Sequence, residues 1–395
     1  MTGPLNGLRV LDLTQMLAGP YCTMMLADQG AEVIKIEPPE GDPARSFAPS
    51  LPGMTDFGGY FQSINRNKLS VVLDLKSSEG VQAFMELVGT ADVVVENFRA
   101  GVMERLGLGY ETLALANPLL IYCAIRGFGD PRTGRSPYAN WPAYDVVAQS
   151  MGGLISVTGT AEGEVFKVGP GIGDIVPAMF AAFGILAAVH EARSAGRGQF
   201  VDVAMMDAVL AITERIVHQH SYLGAVPKPE GNRHPIFAPF GIFRAKDGHV
   251  AIACPTDHFW RDLVRAIGRP ELADDPRCAT NPARSANSDF VCEMIETWTA
   301  GRTKSELADL LGGIIPFGPV NDAADIAIDP HVAARGMLVS CEQPGLDRAV
   351  EIVGTPVKMT RSVPSKMVRA PKLGEHSEKI LKNSSWAARA QNDAS

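Results

Sequence analysis

The sequence predicts an α/β protein with a parallel sheet in a large domain and a smaller α+β domain. Short strands rich in Val, Ile and Leu alternate with helices through the first half of the chain, as in parallel sheets covered on both faces. Near residue 225 this pattern changes to a Pro/Gly-rich connection followed by a hairpin pattern. The length of 395 residues exceeds what one hydrophobic core usually supports, so we expect two domains.

Predicted strands and helices alternate in the first part of the chain. Strands are expected at residues 8–13, 31–36, 70–75, 92–96 and 119–125. Helices are expected at 18–29, before the stop signal Gly30, and at 77–88. Ligands of parallel sheets bind outside the carboxyl ends of the strands. That rule indicates three candidate binding segments, which are Glu37, residues 97–99 and the loop at 127–129.

The second domain is predicted from a hairpin and the helices that follow it. Asp247 and Gly248 form a strong turn signal between apolar segments at 240–243 and 249–253. Helices are expected near 257–267, 289–299 and 303–312. We therefore predict a large domain whose first segment is 1–224, a small domain at 225–325, and a C-terminal segment at 326–395 that returns to the large domain.

Composition narrows the class of protein and its environment. The net charge of −8 argues against a general nucleic-acid binder. The six cysteines contain no Cys-x-x-Cys, which favours reduced thiols over a disulfide framework or a zinc site. No signal-peptide pattern precedes the first strand. The longest apolar stretch, 175–189, is predicted as a buried helix, not a membrane span, so we expect a cytoplasmic protein.

Asp174 lies between glycines and a long apolar helix. Residues 164–168 are predicted as a strand, 169–174 as a glycine loop, and 175–193 as a helix. Gly171 and Gly173 carry no side chains, so a ligand can approach the backbone closely. Asp is also a common N-cap residue, which leaves a purely structural interpretation open. A dinucleotide fingerprint is disfavoured because its third glycine is replaced by Asp174.

A series of different short motifs occurs in order along nearly the whole chain. They are Gly30–Glu37, Asn65–Lys68, Leu73–Lys76, Glu96–Arg99, Tyr144-Asp145 with Gln149, Gly173-Asp174, Gly196–Asp202, Pro316–Val320 and Ala370–His376. No single motif is specific, but the ordered set resembles the class III CoA-transferases, the CaiB/BaiF family. The resemblance runs from about residue 5 to about residue 380.

The resemblance implies a fold, a reaction and a set of site residues. It implies a Rossmann-like large domain, a small inserted domain and an interlocked homodimer. It implies CoA transfer from an acyl-CoA to a small carboxylic acid, with CoA as a substrate and no tightly bound cofactor or metal. Asp174 would be the nucleophile that forms mixed-anhydride and aspartyl-CoA intermediates. The implied CoA site consists of Ala18, Leu73, Lys76, Asn97, Phe98, Arg99, Arg105 and Tyr144.

Each of these residues also has a simpler structural interpretation. Arg105 and Lys76 are typical of solvated surface charges. Phe98 would be ordinary packing, and Asn97 would be an N-cap for a helix near Gly101. None of the eight histidines is assigned a catalytic role.

Two departures and two rival functions follow from the same comparison. Pro38 stands where several family members carry Arg, so Arg45 or Lys68 becomes a candidate for holding the nucleotide end of CoA. The stretch 224–231 has no run of glycines, which disfavours a formyl- or oxalate-specific enzyme.

An α-methylacyl-CoA racemase would need an acid–base pair, with His in place of Tyr144 and a Glu near 253–256. A non-catalytic acyl-CoA-binding protein would keep the CoA contacts without needing Asp174.

Overall fold

The computed structural model describes residues 3–51, 56–362 and 367–382. Strands occur along the whole of this part of the chain. They are β1 (Arg9–Asp12), β2 (Glu32–Glu37), β3 (Leu69–Val72), β4 (Val93–Glu96), β5 (Ile121–Arg126), β6 (Phe200–Ala204), β7 (Phe240–Ala245), β8 (Gly248–Ala253), β9 (Phe317–Pro319), β10 (Leu338–Cys341) and β11 (Val350–Val353).

Helices separate most of these strands. They are α1 (Ala18–Asp28), α2 (Gly59–Asn65), α3 (Ser78–Val88), α4 (Val102–Arg105), α5 (Tyr110–Ala116), α6 (Asp145–Met151), α7 (Ile172–Ala195), α8 (Met205–Ile212), α9 (Glu214–Leu223), α10 (Asp257–Ala266), α11 (Asn281–Ala286), α12 (Ser288–Ala300), α13 (Lys304–Leu311), α14 (Ala323–Ile328), α15 (Pro330–Ala334) and α16 (Ser377–Leu381).

The chain forms two compact units. The first contains the described residues of 1–154, 167–221 and 333–395, and the second contains 155–166 and 222–332. The predicted domains did not separate residues 155–166 from the large domain. This segment begins with a 3-10 helix at Ile155–Val157 and continues into a turn closed by a β-bridge between Gly159 and Val165, and it carries no periodic apolar signal.

The first unit is built on a six-stranded sheet in the order β3-β2-β1-β4-β5-β6. Each neighbouring pair is parallel. This confirms the predicted parallel-sheet α/β fold. The strand order reverses between β1 and β4, and such switch points are where open α/β sheets bind ligands.

Apolar side chains alternate between the two faces of this sheet. Val10 and Val93 pack on one face together with α1 and α7. Leu11 and Val94 pack on the other face with α3 and α5. Both faces are therefore covered, which explains why the strands are almost uninterrupted apolar runs.

Helix α7 is only partly buried, which differs from the prediction of a buried helix. Ile185 and five alanines, at 178, 181, 182, 188 and 192, pack into the core. Met179, Phe180 and Phe183 are 47%, 42% and 73% exposed. By length and composition this helix alone, among the described residues, could cross a membrane, and 44% of its apolar stretch is buried. The stretch is apolar on every side, so the sequence could not show which side faces the core.

The second unit is organised around a three-stranded sheet in the order β7-β8-β9. β7 and β8 form the antiparallel hairpin predicted from Asp247 and Gly248. Arg284 is fully buried beneath it and donates hydrogen bonds to the carbonyls of Ala238 and Cys278 and to Asp257. Each of the three guanidinium nitrogens of this buried cation therefore donates to an acceptor within the unit.

The last described segment of the first unit lies against the edge strand β3. The backbone N–H of His376 donates to the carbonyl of Ser70, and the N–H of Ser70 donates to Nδ1 of His376. Ser377 accepts the N–H of Val72 through its hydroxyl. These contacts cover the β3 edge of the sheet.

Candidate active site

A cavity of about 370 Å³ opens at the switch point of the sheet. Its walls include Gln15 in the loop after β1, and Asn97 and Gly127, which directly follow β4 and β5. Asp174 at the start of α7 faces the same cavity. The cavity therefore lies where the carboxyl-end rule predicted a ligand.

The predicted CoA-site residues lie in this cavity and the one beside it. The first cavity is lined by Ala18, Asn97, Phe98, Arg99, Arg105 and Tyr144. Leu73 and Lys76 line a second cavity of about 350 Å³, and Phe98 and Gln15 line both. The structure thus brings all eight residues and Asp174 to two adjoining cavities.

Three cations are available at these cavities. Arg99, Arg105 and Lys76 are exposed, and in the described part of the chain none of them pairs with a carboxylate. A guanidinium or ammonium without a protein partner suits the phosphates of a nucleotide. The solvated-charge interpretation explains their exposure, but it does not explain why they share two cavities.

Asn97 is not the N-cap of the helix near Gly101, as its structural interpretation predicted. The N-cap of α4 is Gly101. The Asn97 side chain accepts the N–H of Gln15 at 2.9 Å and donates to its carbonyl at 2.7 Å. It therefore fixes the loop after β1 to the loop after β4. Phe98 both packs against the core and lines the cavities.

Buried charges hold the loop after β1 in place. Lys35 in β2 donates to the carbonyl of Thr14 at 2.7 Å and forms an ion pair with Asp42 at 2.9 Å. Asp42 accepts the N–H of Met16, whose φ of 70° is unusual for a residue other than glycine. The cavity wall formed by Gln15 and Met16 is therefore fixed from inside the protein.

The suggestion that Arg45 or Lys68 holds the nucleotide end of CoA is wrong. Arg45 is buried and makes a two-pronged contact with Glu37. Lys68 is also buried and donates to Asp12, Pro20 and Asn65. Both side chains use their hydrogen-bonding capacity inside the fold, which their positions in the sequence did not reveal.

Asp174 lies in the first turn of α7 and is not its N-cap. The helix begins at Ile172, and its N-cap Gly171 makes no side-chain hydrogen bond. The strand predicted at 164–168 is also absent, because only Val165 forms a β-bridge there. The cap interpretation of Asp174 is therefore wrong, and its carboxylate is left to face the cavity.

The charge environment of Asp174 is unusual for a carboxylate. Burial, followed by the charge of Asp145, raises the pKa of Asp174 from 3.8 to about 7. Across the described residues no cation forms an ion pair with either aspartate. Burial and then the charge of Asp174 raise the pKa of Tyr60 to about 12. Negative charge is thus concentrated here without a matching cation.

Asp145 and Gln149 contact the segment that leads into Asp174. Oδ1 of Asp145 accepts the N–H of Gly173 at 2.7 Å. A Cβ on Gly173 would lie 2.5 Å from the carbonyl oxygen of Asp145, so only glycine allows this approach. Gln149 donates to both oxygens of Asp145 at 2.9 Å.

The first N–H groups of α7 already have acceptors. Ile172 donates to Pro170, Gly173 to Asp145, and Asp174 to Gly171. These groups are therefore not free to bind an anion. Two of the three acceptors are backbone carbonyls of the turn at 169–171, and the third is the side chain of Asp145.

The structure adds site residues that the sequence analysis did not single out. Gln15, Met16, Arg126 and Trp141 line the first cavity. The rule that ligands lie beyond strand ends could have predicted three of them. Gln15 and Met16 lie in the loop after β1, and Arg126 is the last residue of β5. Trp141 lies in a loop and had no such signal. No cluster of three metal-ligating side chains occurs among the described residues.

Comparison with known proteins places these features in a family. Residues 5–377 match the sequence profile of CoA-transferase family III. The succinyl-CoA:mesaconate CoA-transferase of Haloarcula hispanica is 49% identical over 96% of each chain. The acetyl-CoA:oxalate CoA-transferase of Acetobacter aceti is 40% identical over 96% of this chain and 95% of its own.

Solved structures agree with the sequence comparison. A CAIB/BAIF family protein from Brucella suis superposes with a TM-score of 0.86 at 36% identity, covering 97% of this chain and 99% of its own. A Mycobacterium tuberculosis protein in an orthorhombic crystal form gives 0.83 at 30% identity, covering 96% and 99%. Family profile, full-length relatives and fold agree, and the chain belongs to CoA-transferase family III.

Proposed function

We propose that this protein is an acyl-CoA:carboxylate CoA-transferase in which Asp174 is the nucleophile. The observation that carries the proposal is an unpaired carboxylate of raised pKa in the same cavity as Arg99 and Arg105. The relatives from Haloarcula hispanica and Acetobacter aceti are named as CoA-transferases, which favours this reaction over racemisation or simple binding.

The proposed reaction consists of four acyl transfers. A carboxylate oxygen of Asp174 attacks the donor thioester carbonyl, the C–S bond breaks, and CoA leaves as a thiolate. The thiolate attacks the aspartyl carbonyl of this mixed anhydride, and the donor acid leaves as a carboxylate. The acceptor carboxylate then attacks the aspartyl-CoA thioester and releases the thiolate. The thiolate finally attacks the acceptor carbonyl, which regenerates the Asp174 carboxylate without net change in protons or electrons.

The raised pKa of Asp174 suits this chemistry. A carboxylate is a weak nucleophile, so a more basic one reacts better once it is ionised. With a pKa of about 7, a large fraction of Asp174 remains ionised near neutral pH. Positioning must supply much of the remaining rate, because the reacting atoms gain most when they are held in line.

CoA would extend across both cavities. We assign the thioester end to Tyr144 and Asp174, and the phosphates to Arg99 and Arg105 in the first cavity. The nucleotide end would lie in the second cavity, beside Leu73 and Lys76. Of the described residues lining that cavity, Lys76 is the single cation, since Pro38 replaces the expected arginine.

The substrate class is proposed from the names of the relatives. The names of three relatives include mesaconate, oxalate and glutarate, and each of these is a short dicarboxylic acid. Succinyl-CoA or succinate appears in two of these names. We therefore propose succinyl-CoA as a donor and a short dicarboxylate as the acceptor.

We also propose a cytoplasmic homodimer that needs no tightly bound cofactor. The exposed apolar side chains of α7, including Phe183, are a surface that a second chain can cover. The four acyl transfers require only CoA, two acids and the protein.

A donor and acceptor panel tests the proposal. We expect the protein to move CoA from succinyl-CoA to at least one short dicarboxylate. Asp174→Ala should lower turnover by about 10³-fold or more, while the Kd for CoA changes little. Asp289→Ala, which removes another first-turn helical aspartate, is the matched control and should be close to the parent. Full turnover by Asp174→Ala, or α-proton exchange without transfer, would contradict the proposal.

A further inference from the structure

We propose that Gln149 is a positioning residue for Asp174, acting through Asp145 and through the backbone that precedes the glycine loop. Gln149 lies in α6 and has no exposed surface. Its Nε2 donates to both carboxylate oxygens of Asp145 at 2.9 Å, and its Oε1 accepts the N–H of Val168 at 2.9 Å. The amide orientation is determined by these partners, because only the oxygen can accept an N–H.

The two contacts hold both ends of the glycine loop on one face of α6. Asp145 and Gln149 are four residues apart, so their side chains lie next to each other on the helix. Gln149 holds Val168 at the start of the loop, and Asp145 holds Gly173 at its end. Asp174 is the next residue. The loop between them contains Gly169, Pro170 and Gly171. Pro170 fixes its own φ, but the two glycines leave the backbone on either side of it little restricted.

Gln149 also keeps two like charges close together. Asp145 raises the pKa of Asp174, and the two carboxylates repel each other. No cation pairs with Asp145 in the described ranges, so its charge is stabilised by the amide of Gln149 and the N–H of Gly173. Removing the amide would let Asp145 turn away from the loop. That movement would change where its charge lies relative to the nucleophile.

The inference rests on the proposed role of Asp174, and the experiment separates the two. Gln149→Leu is compared with Gln62→Leu in the full-length protein. Gln62 is equally buried and also connects two backbone segments, because it donates to Glu342 and accepts the N–H of Ala370. Neither of these contacts touches Asp145 or the glycine loop. For each protein we would measure melting temperature, the Kd for CoA, and the single-turnover rate at which succinyl-CoA loads Asp174.

We expect both variants to lose thermal stability, because each leaves buried backbone groups unpaired. Only Gln149→Leu should load Asp174 more slowly, by about 10- to 100-fold, since small displacements of reacting groups cost that much. Its Kd for CoA should stay within about twofold, because Gln149 lines neither cavity. Slow loading with an unchanged Kd for CoA distinguishes positioning from general destabilisation.

Gln149→Glu covers the case in which Gln149→Leu does not fold. It keeps the shape and the acceptor for Val168 but places a carboxylate against Asp145. We expect slow loading at pH 8 and a defect that shrinks at lower pH, where the two carboxylates share a proton. Loading at the parental rate by a folded Gln149 variant, or an equal loss in Gln62→Leu, would overturn the inference. Failure of the parent to load would instead overturn the proposed function.

Discussion

Two pairs of aspartates in the first unit lie in opposite charge environments. Beneath the loop after β1, Asp12 pairs with Lys68 at 2.9 Å and Asp42 pairs with Lys35 at 2.9 Å. We call these four residues the buried ion cluster. At the start of α7, Asp174 faces Asp145 instead, and within the described ranges neither has a cationic partner.

The difference shows in the pKa values. Burial alone would raise the pKa of Asp12, but Lys68 and Lys35 outweigh it and lower the pKa to about 2. Burial also lowers the pKa of Lys68 to about 8 despite Asp12, which leaves it mostly charged at neutral pH. For Asp174, burial and Asp145 act in the same direction, and its pKa rises to about 7. Matched charges therefore hold the cavity wall, and unmatched charges make the nucleophile basic.

The largest expected effect comes from breaking the buried ion cluster. Lys68→Met would remove the main partner of Asp12 while leaving that carboxylate buried. We expect the free energy of unfolding to fall by about 3–5 kcal/mol, because an uncompensated charge remains inside. Urea unfolding measures this. Lys382→Met, which breaks an exposed pair, should change little, and equal losses in both variants would contradict the account.

The next effect comes from the close approach at Gly173. In Gly173→Ala the new Cβ would meet the backbone of Asp145 at 2.5 Å and push the loop away from α6. We expect kcat to fall by about 100-fold, through displacement of Asp174. Gly169→Ala is the matched control, since nothing lies within 4 Å of an added Cβ there. Steady-state kinetics would contradict the account if the two variants behaved alike.

A smaller effect concerns the pH dependence of turnover. Because Asp174 must be ionised to attack, kcat/KM should fall on the acid side with an apparent pKa of about 7. Asp145→Asn removes the neighbouring charge and should move the acid side of the kcat/KM profile to lower pH, by about 0.5–1 pH unit. Burial is the larger cause of the raised pKa of Asp174, so the apparent pKa in this variant should stay above the ordinary range of aspartate. A shift to higher pH would contradict this assignment.

The smallest effect concerns stability. The pKa of Asp174 is raised in the folded state, so its contribution is complete below pH 3.8 and is lost as pH rises through about 7. Asp174→Asn should therefore melt a few degrees above the parent at pH 8, with a difference that shrinks toward pH 4. Scanning calorimetry at several pH values measures it. Asp289→Asn should show no such trend.

The fold was predictable wherever the signal was local. β2 at Glu32–Glu37 and the β7–β8 hairpin follow from apolar runs and from one turn dipeptide. β6 was missed because Phe200–Ala204 is only partly buried and includes Asp202. The exposed side of α7 was missed because the helix carries no polar face to mark it.

The site was predictable where residues follow strand ends, and not where distant side chains meet. Asn97 and Gly127 lie next to their strands, so the parallel-sheet rule reached them. Lys35 lies within an apolar strand, and its partner Asp42 lies in a loop, so only the fold reveals that they pair. The spacing of Asp145 and Gln149 places them on one helix face but does not show that they face Val168 and Gly173.

Mass spectrometry of the loaded enzyme tests the central claim most directly. The protein would be incubated with succinyl-CoA, quenched rapidly or trapped with hydroxylamine, and digested for peptide mapping. The account predicts a CoA adduct or a hydroxamate on the peptide that contains Asp174, and none in Asp174→Ala. Turnover by the parent without any adduct there, or with the adduct on another residue, would contradict Asp174 as the nucleophile.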